Sequence, residues 1–234
     1  MDSRLSAPSA AVVGRPRPVG AGSSATNADR IAIDGLWLTL LRDDGMERAV
    51  DVEALLQSDD HVEPPYWMHL WPGAMALARV VARAPEVRPG ALILELGCGL
   101  ALPSLAARVR GATVVSSDGR RPPLALAMGS ARRNGSAIHA VQMDFRQPAI
   151  RLPCDVLLGA EVGYDEQQVP ALVDLTAKLL RSGGVAWFAD SVNAYRTSLA
   201  DGLRAADLRV RIRSRREQEE GRPVWVRLIE ARRP

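Results

Sequence analysis

Strands and helices alternate through most of the chain, and this alternation restricts the fold more than any other feature. The run ALILEL at 91–96 is apolar throughout, as expected for a strand buried on both faces of a sheet. The segment LPSLAARVRG at 102–111 predicts a helix, because Pro103 stands near its start and Gly111 at its end. TVVSSD at 113–118 predicts the next strand. Such strand–helix–strand units form right-handed crossovers and a parallel sheet.

The same alternation continues almost to the C-terminus. Further strands are predicted at AIHAVQMDF, CDVLLGAE and VAWFAD, and helices at PPLALAMGSARRNG, VPALVDLTAKLLRSGG and about 194–206. The last two strands, LRVRIR and VWVRLIEA, have no helix between them and should pair as an antiparallel hairpin. The sequence therefore predicts an α/β fold with a Rossmann-like, seven-stranded, mostly parallel, doubly wound sheet and a C-terminal antiparallel hairpin.

The N-terminal residues differ in character from the rest of the chain. Residues 1–28 are small, rich in Pro, Gly and Ser, and aperiodic, which predicts a disordered tail. A cleaved transit peptide is the alternative, because arginine and serine outnumber the single acid there, although the prolines disfavour an amphipathic helix. Residues 29–234 are predicted to form a single domain, with 29–63 as a strand extension turning at Asp44-Gly45 and 64–234 as the core.

Composition excludes several classes of protein. No apolar run approaches the roughly 20 residues of a membrane span, and Cys98 and Cys154 form no disulfide framework, so we expect a soluble cytoplasmic protein that does not bind membranes. The basic run RVRIRSRR at 209–216 lacks interleaved aromatic residues, which favours a solvated strand edge over a nucleic-acid groove. His61, His69 and His139 show no metal-ligand spacing with one another or with the cysteines, so no metal is expected.

The loop after the first strand of the alternating region indicates the ligand. Ligands of such sheets bind at the carboxyl ends of the strands, where Gly97 and Gly99 allow a tight turn and a close approach of the backbone. A dinucleotide fingerprint would need a third glycine where Leu102 stands. Glu95 would repel a pyrophosphate but suits an amino group, while Asp118 stands at a strand end where an acid accepts hydrogen bonds from ribose. A ligand with an ammonium, a ribose and no phosphate is S-adenosylmethionine.

Four motifs, in order, resemble a known family. They are PPYWMHLWPGAMALAR, LELGCGLALPSLAA, DFRQP and AEVGYDEQQVPAL. From Pro64 to about Tyr195 the chain resembles the seven-stranded class I methyltransferases. Within these it is similar to the family that holds nicotinamide-N-methylase-like bacterial proteins and protein-lysine methyltransferases, including the electron-transfer-flavoprotein β-subunit lysine methyltransferase. The resemblance implies S-adenosylmethionine as cofactor and S-adenosylhomocysteine as product.

The resemblance also assigns residues to roles. It implies that the cofactor is bound by Trp71, Glu95, Gly97, Cys98, Gly99, Asp118, Gly119, Asp144, Phe145 and Ala160. The proposed catalytic pair is Glu161 and Tyr164, which would hold an amine and direct its lone pair at the methyl group. The acceptor would be bound by Tyr66, Trp67, Asp190 and Asn193, with cation–π attraction from the aromatic rings.

The chain departs from the family pattern at three places. Ala101 stands where a third glycine is usual, Glu161 replaces an aspartate, and FADSVNAY replaces a more typical Asp-Pro sequence. The departures on the acceptor side favour methyl transfer to an amine nitrogen of a small molecule. A protein lysine as acceptor, or a non-catalytic protein that binds S-adenosylmethionine, remain the alternatives.

Overall fold

Nine strands and five helices make up the described residues. The computed structural model of the protein describes residues 26–43, 65–191 and 196–234. The strands are β1 (Thr26–Ile33), β2 (Leu36–Asp43), β3 (Leu92–Leu96), β4 (Thr113–Asp118), β5 (His139–Gln142), β6 (Cys154–Ala160), β7 (Leu180–Asp190), β8 (Arg209–Glu219) and β9 (Arg222–Arg232). The helices are α1 (Pro72–Arg83), α2 (Leu102–Val109), α3 (Arg121–Arg133), α4 (Val169–Leu179) and α5 (Arg196–Ala205), and a short 3-10 helix covers Tyr66–Met68.

Seven of these strands form one sheet in the order β5–β4–β3–β6–β7–β9–β8. Strands β3 to β7 pair in parallel, and β9 pairs antiparallel with both β7 and β8. The prediction of a mostly parallel, doubly wound sheet with a C-terminal antiparallel hairpin is therefore confirmed. No described helix is both long and apolar enough to cross a membrane.

The sheet separates two hydrophobic cores. Helices α1, α2 and α3 pack on one face, where Ile93, Val114 and Val156 are buried. Helices α4 and α5 pack on the other face against Leu157 and Phe188, which are also fully buried. Because strand residues alternate between the faces, the continuous apolar runs of β3 and β6 supply both cores.

The N-terminal strand pair turns at a different place from the one predicted. The β1–β2 hairpin turns at Asp34-Gly35, whose φ angles of +45° and +92° suit the two left-handed positions of a tight type I′ turn. The predicted turn at Asp44-Gly45 lies outside the described residues. Strand β1 begins at Thr26, which pairs with Asp43, so residues 26–28 belong to the strand rather than to the tail.

Side chains of α3 fasten this hairpin to the domain. Asn134, directly after α3, accepts a hydrogen bond from the Thr39 N–H (2.9 Å) and donates one to the Thr39 carbonyl (2.8 Å). The Ser130 hydroxyl accepts a bond from the Leu41 N–H (2.9 Å). The Asn134 amide thus pairs with β2 as another strand would, and it satisfies polar groups on the outer edge of β2.

We expect Asn134→Ala to lower the free energy of unfolding by about 2 kcal/mol, since three hydrogen bonds are lost and the Thr39 backbone groups lose their partner. Chemical denaturation of the variant and the parent protein measures the difference. Arg133→Ala, at the exposed neighbouring position, is the matched control and should change stability by less than about 0.5 kcal/mol. Equal stability of Asn134→Ala and the parent would contradict the fastening role.

Candidate active site

A cavity opens where the strand order of the sheet reverses. From β3 the chain proceeds outward to β4 and β5, and then returns to place β6 on the other side of β3. In parallel sheets this reversal leaves a crevice at the carboxyl ends of the two central strands. The crevice holds a cavity of about 800 Å³, which is within the size range of small-molecule sites.

The loop after β3 forms one wall of this cavity. Gly97 and Gly99 adopt φ angles of +58° and +48°, a region that favours glycine. A Cβ atom on Gly97 would lie 2.7 Å from Cγ1 of Val162, so a side chain there would collide with the loop after β6. The two glycines keep the backbone of this loop exposed to the cavity, as a closely bound ligand requires.

Asp118 stands at the carboxyl end of β4 and lines the same cavity. One of its carboxylate oxygens accepts a hydrogen bond from the Gly99 N–H (3.0 Å), and the other accepts one from the Arg120 N–H (2.9 Å). A carboxylate oxygen can accept a second bond. Asp118 therefore fixes the glycine loop and retains acceptor capacity for hydroxyl groups of a ligand.

Glu95 lies elsewhere than the sequence predicts. Its side chain is 1% exposed and is absent from the cavity wall. One carboxylate oxygen accepts a hydrogen bond from the Ser104 N–H (3.2 Å) in the first turn of α2, whose N-cap residue, Ala101, has no side-chain acceptor. Burial raises the pKa of Glu95 to about 8. Glu95 thus caps a helix from beneath the glycine loop and does not line the cavity wall.

Glu161 follows β6 and lines the cavity at the carboxyl edge. Its φ of +53° is unusual for a residue with a side chain, and its N–H donates to the Ala189 carbonyl (2.8 Å). Its Oε1 accepts bonds from the Gly73 N–H and the Ser191 N–H, both at 2.9 Å, while Oε2 accepts, from the described residues, only the Ser191 N–H, at 3.0 Å. The carboxylate joins the ends of β6 and β7 to the start of α1.

The surroundings of Glu161 bring the pKa of its carboxyl close to neutral pH. Burial of the carboxyl group, followed by the nearby charge of Asp190, raises the pKa of Glu161 to about 7. Hydrogen bonds from Ser191 and Gly73 act in the opposite direction. A carboxyl with a pKa close to 7 is suited to exchanging a proton or holding a cation at neutral pH.

Aromatic side chains surround the cavity mouth. Trp71 lies with its ring centroid 6.1 Å from that of Tyr66 and 4.6 Å from that of His69. Tyr66 also makes an edge contact with Tyr164, at 6.3 Å. The Trp71 indole N–H donates to the Tyr66 carbonyl (2.9 Å), and Trp67 lines the cavity beside them. The faces of such rings attract cationic groups, and the rings also pack against planar groups.

The far end of the cavity is formed by the turn after β5. Asp144 and Phe145 line it, as does Arg146. Arg146 binds the Asp144 carboxylate, with a shortest N–O distance of 2.7 Å, and these bonds lower the pKa of Asp144. Asp144 is consequently ionised at neutral pH and held in the turn.

Most residues predicted for the site meet at this cavity. Its wall includes Tyr66, Trp67, Trp71, Gly97, Cys98, Gly99, Asp118, Gly119, Asp144, Phe145, Ala160, Glu161 and Tyr164. Asp190 does not line it, because it is 6% exposed and lies behind Glu161, near Gly163. Asn193 lies outside the described residues.

The sequence did not indicate four residues that shape the site. His69 and Arg146 line the cavity, and the Gly73 and Ser191 backbones hold Glu161. Arg146 is two residues from Asp144 in DFRQP, a spacing that signals a local ion pair. The contact of His69 with Glu219 (3.3 Å) joins residues 150 positions apart and has no local signal.

No site for a metal ion or a reactive thiol accompanies this cavity in the described ranges. Within residues 26–43, 65–191 and 196–234, no three His, Cys, Asp or Glu side chains are grouped closely enough to hold a metal ion. Cys98 is buried in the cavity wall, and burial, with the charges of Glu95 and Asp118, raises its pKa well above the usual value. The Cys98 thiol is therefore protonated at neutral pH.

Comparison with known proteins relates the chain to methyltransferases. No protein-family model matches it. An electron transfer flavoprotein β-subunit lysine methyltransferase from Danio rerio is 44% identical over 63 residues, which are 27% of this chain and 24% of that protein. A cypemycin N-terminal methyltransferase from Streptomyces sp is 32% identical over 122 residues, which are 50% of this chain and 48% of that protein. The chain thus spans between a quarter and half of the length of these relatives.

A solved structure matches more of the chain. Magnesium protoporphyrin IX methyltransferase from Synechocystis, solved with bound S-adenosylmethionine, has a TM-score of 0.55 and 18% identity, and covers 68% of this chain and 76% of its own. The chain has the class I methyltransferase fold.

Ala101, one of the departures from the class I methyltransferase pattern, has a strained backbone conformation. Ala101, where a third glycine is usual, adopts a φ of +59° and is 1% exposed. A left-handed residue with a Cβ atom costs roughly 1–2 kcal/mol. The fold accommodates this strain because the Ala101 N–H donates to the Cys98 carbonyl (2.6 Å) and Glu95 caps the helix that follows.

Stability should depend on pH through Glu161. Its carboxyl loses a proton at about pH 7 in the folded protein, against 4.5 in an exposed setting. Between these values the folded state holds more protons, so the free energy of unfolding falls as pH rises and levels off above pH 7. This contribution is roughly 3 kcal/mol at most.

We therefore expect the stability of Glu161→Gln, relative to the parent protein, to rise between pH 5 and pH 8, because glutamine has no proton to lose. Urea denaturation at several pH values measures both free energies. The difference between the two proteins isolates Glu161 from Glu95 and from other titrating groups. Parallel pH curves for the two proteins would contradict the assigned pKa shift.

Proposed function

We propose that the chain is an S-adenosylmethionine-dependent methyltransferase that acts on an amine nitrogen. The observation that carries the proposal is that Glu161 lines the same cavity as a glycine loop that Asp118 holds in place. The class I methyltransferase fold adds support, because it places both features at the strand reversal.

The cavity wall fits the chemical groups of S-adenosylmethionine. Gly97 and Gly99 present bare backbone in the cavity wall, which allows a ligand to approach closely. Asp118 would accept hydrogen bonds from the ribose hydroxyls at the end of β4. Phe145 and the Asp144 turn would border the adenine, and Trp71 would cover the opposite end. A cavity of about 800 Å³ has room for the cofactor and part of an acceptor.

The chain's own residues would prepare the acceptor. The bound cofactor supplies a methyl group already activated by the positive charge on sulfur. The chain must hold the amine in line with that methyl group and exclude water. The Glu161 carboxylate would bind the ammonium form of the amine through Oε2, which makes only one of the described hydrogen bonds. Above pH 7 it would be ionised and able to accept the amine proton, while Tyr164 would orient the nitrogen.

Two classes of amine are candidates for the methyl acceptor. The names of the relatives describe methyl transfer to a protein lysine and to a peptide N-terminus, which favours a protein amine for this chain. The open aromatic mouth formed by Tyr66 and Tyr164, 38% and 44% exposed, would admit a side chain from a larger molecule. The small-molecule amine favoured by the sequence is the second candidate, and the cavity volume of about 800 Å³ supports it.

Methyl transfer into cell extract distinguishes these candidates. The purified chain is incubated with extract and S-adenosylmethionine that carries a labelled methyl group, and the products are separated into protein and small-molecule fractions. Label in protein supports a protein amine, and label in small molecules supports the second candidate. Cofactor binding without labelled product in either fraction would overturn the enzymatic proposal in favour of a binding protein.

We expect Asp118→Ala to weaken S-adenosylmethionine binding by about 2–4 kcal/mol, since hydrogen bonds to a charged acceptor are lost. Isothermal titration calorimetry measures the affinity. Asp174→Ala, which removes an exposed acid on α4, is the matched control and should bind as the parent does. Equal binding by Asp118→Ala and the parent would contradict the assignment of this site.

We expect Glu161→Gln to lower kcat/KM on the identified acceptor roughly 10²–10⁴-fold, the range for a positioned acid–base group, with cofactor affinity nearly unchanged. Tyr164→Phe removes one hydroxyl and should lower the rate less. The rate of the parent should rise with pH as Glu161 and the amine lose protons. Full activity of Glu161→Gln would show that the Glu161 carboxylate has no part in the chemistry.

A further inference from the structure

The C-terminal hairpin projects beyond the sheet on the cavity side. Strand β9 pairs with β7 only from Arg227, opposite Asp190 at the end of β7, to Arg232. Its pairing with β8 continues to the contact of Arg222 with Glu219. Residues 215–219 and 222–226 therefore extend roughly 16 Å past the carboxyl edge of the sheet, and we name them the hairpin arm.

The hairpin arm is attached to the cavity mouth. Glu219 lies 3.3 Å from Nε2 of His69, which lines the cavity beside Trp71. Glu217 is buried between Arg215 and Arg79, and it accepts hydrogen bonds from both. The arm is consequently a fixed wall beside the mouth, and a molecule bound to it is held close to the site.

The exposed charges of this hairpin are almost all positive. Its exposed arginines are Arg209, Arg211, Arg213, Arg216 and Arg222, whereas Glu220 is its exposed acid. None of these five arginines forms an ion pair within 4.0 Å with a carboxylate of the described residues. Glu230 lies opposite Arg211 on β9 and interacts electrostatically with Arg213, but this carboxylate already pairs with Arg232. The exposed surface of the hairpin therefore has a net positive charge.

The arginines lie on both sides of a free strand edge. Among the described strands, β8 ends the sheet, so one row of its backbone N–H and C=O groups has no neighbouring strand. Arg209, Arg211 and Arg213 point to one face, and Arg216 points to the other, where it lies 6.0 Å from the Trp225 ring. Trp225 is 62% exposed. A strand added to this edge would place its alternate side chains beside basic groups on both faces.

We propose that the β8 edge binds an extended acidic segment of a protein, as an added strand, and thereby recruits the protein that carries the acceptor amine. Binding of the acidic segment follows from the hairpin alone, while its link to the acceptor rests on the proposed methyltransferase function. Arginines along the edge repel a second copy of β8 and attract a strand of opposite charge. Trp225 and Arg216 are of the residue types that dominate binding energy at interfaces.

The sheet also sets the distance between the docked segment and the amine. Four strand spacings separate an added strand from β6, the strand that Glu161 follows, and these amount to about 19 Å. About six extended residues span this distance. The acceptor amine therefore lies outside the docked segment, at least about six residues away or elsewhere on a folded surface.

Fluorescence anisotropy with defined peptides tests the docking surface without the cofactor. The ligand is a labelled peptide of ten residues that alternates glutamate and threonine. Three comparisons accompany it: the same peptide with lysine for glutamate, the glutamate peptide with alternate backbone nitrogens methylated, and a ten-nucleotide single-stranded DNA. Strand addition requires free backbone N–H groups on the peptide, and at this basic edge we also expect it to need acidic side chains.

A matched pair of charge-reversal variants locates the binding. Arg209→Glu/Arg211→Glu/Arg213→Glu reverses the charge of the β8 edge. The control, Arg88→Glu/Arg132→Glu/Arg133→Glu, makes the same change in net charge at exposed positions outside the hairpin. We expect the edge variant to bind the acidic peptide at least about tenfold more weakly than the parent, and the control to bind it within about twofold. Thermal unfolding shows that both variants are folded.

The outcomes separate the proposal from its alternatives. Binding of the acidic peptide that the β8 charge reversal and backbone methylation each weaken at least about tenfold supports strand addition at this edge. No binding by the parent, equal binding by both variants, or equal affinity for the methylated peptide overturns it. DNA bound more tightly than the acidic peptide identifies a nucleic-acid surface instead and overturns it too. The chain could also bind the peptide at the β8 edge but transfer no methyl group. That result would support the docking site and would overturn both the proposed function and the link to an acceptor.

Discussion

The pairing of β3 with β4 on one side and β6 on the other is the constraint on which the site depends. This pairing brings three chain reversals to one edge of the sheet: the glycine loop, the turn after Asp118 and the turn at Glu161. The strands are buried on both faces, so their register cannot shift without exposing an apolar core. Core packing therefore fixes the strand ends that form the floor of the cavity.

Two carboxylates from strand ends perform the same structural task. Neither α1 nor α2 has a side-chain cap of its own, since their N-cap residues are Trp71 and Ala101. Glu161 accepts a hydrogen bond from the first turn of α1, and Glu95 accepts one from the first turn of α2. Burial raises the pKa of each carboxyl, to about 7 and about 8 respectively. Glu161 and Glu95 thus connect the first turns of α1 and α2 to the sheet. Of the two, Glu161 also lines the cavity.

Local sequence pattern was sufficient for the parts of the structure that local chemistry determines. Continuous apolar runs gave the strands, and proline and glycine marked the helix ends, so the fold was predicted correctly. The Gly97–Gly99 loop and Asp118 were placed at the cavity because a strand end fixes their position. Asp34-Gly35 and Asp44-Gly45 carry the same turn signal, and only pairing between β1 and β2 selects the first.

Tertiary packing decided the features that the sequence did not reveal. Glu95 was expected to contact a ligand, but the side chain points beneath the loop, where the N–H of Ser104 needs an acceptor. Asp190 is buried behind Glu161 and acts on its charge instead of lining the cavity. The contact of His69 with Glu219 depends on the length of the C-terminal hairpin, which local patterns do not encode.

A crystal structure with S-adenosylhomocysteine would test the central claim most directly, because it shows the cofactor site without requiring a known acceptor. We predict that the ribose hydroxyls lie within hydrogen-bond distance of Asp118, with the homocysteine along Gly97–Gly99 and its sulfur directed toward Glu161. A ligand bound outside this cavity, or bound with its sulfur directed away from Glu161, would contradict the account.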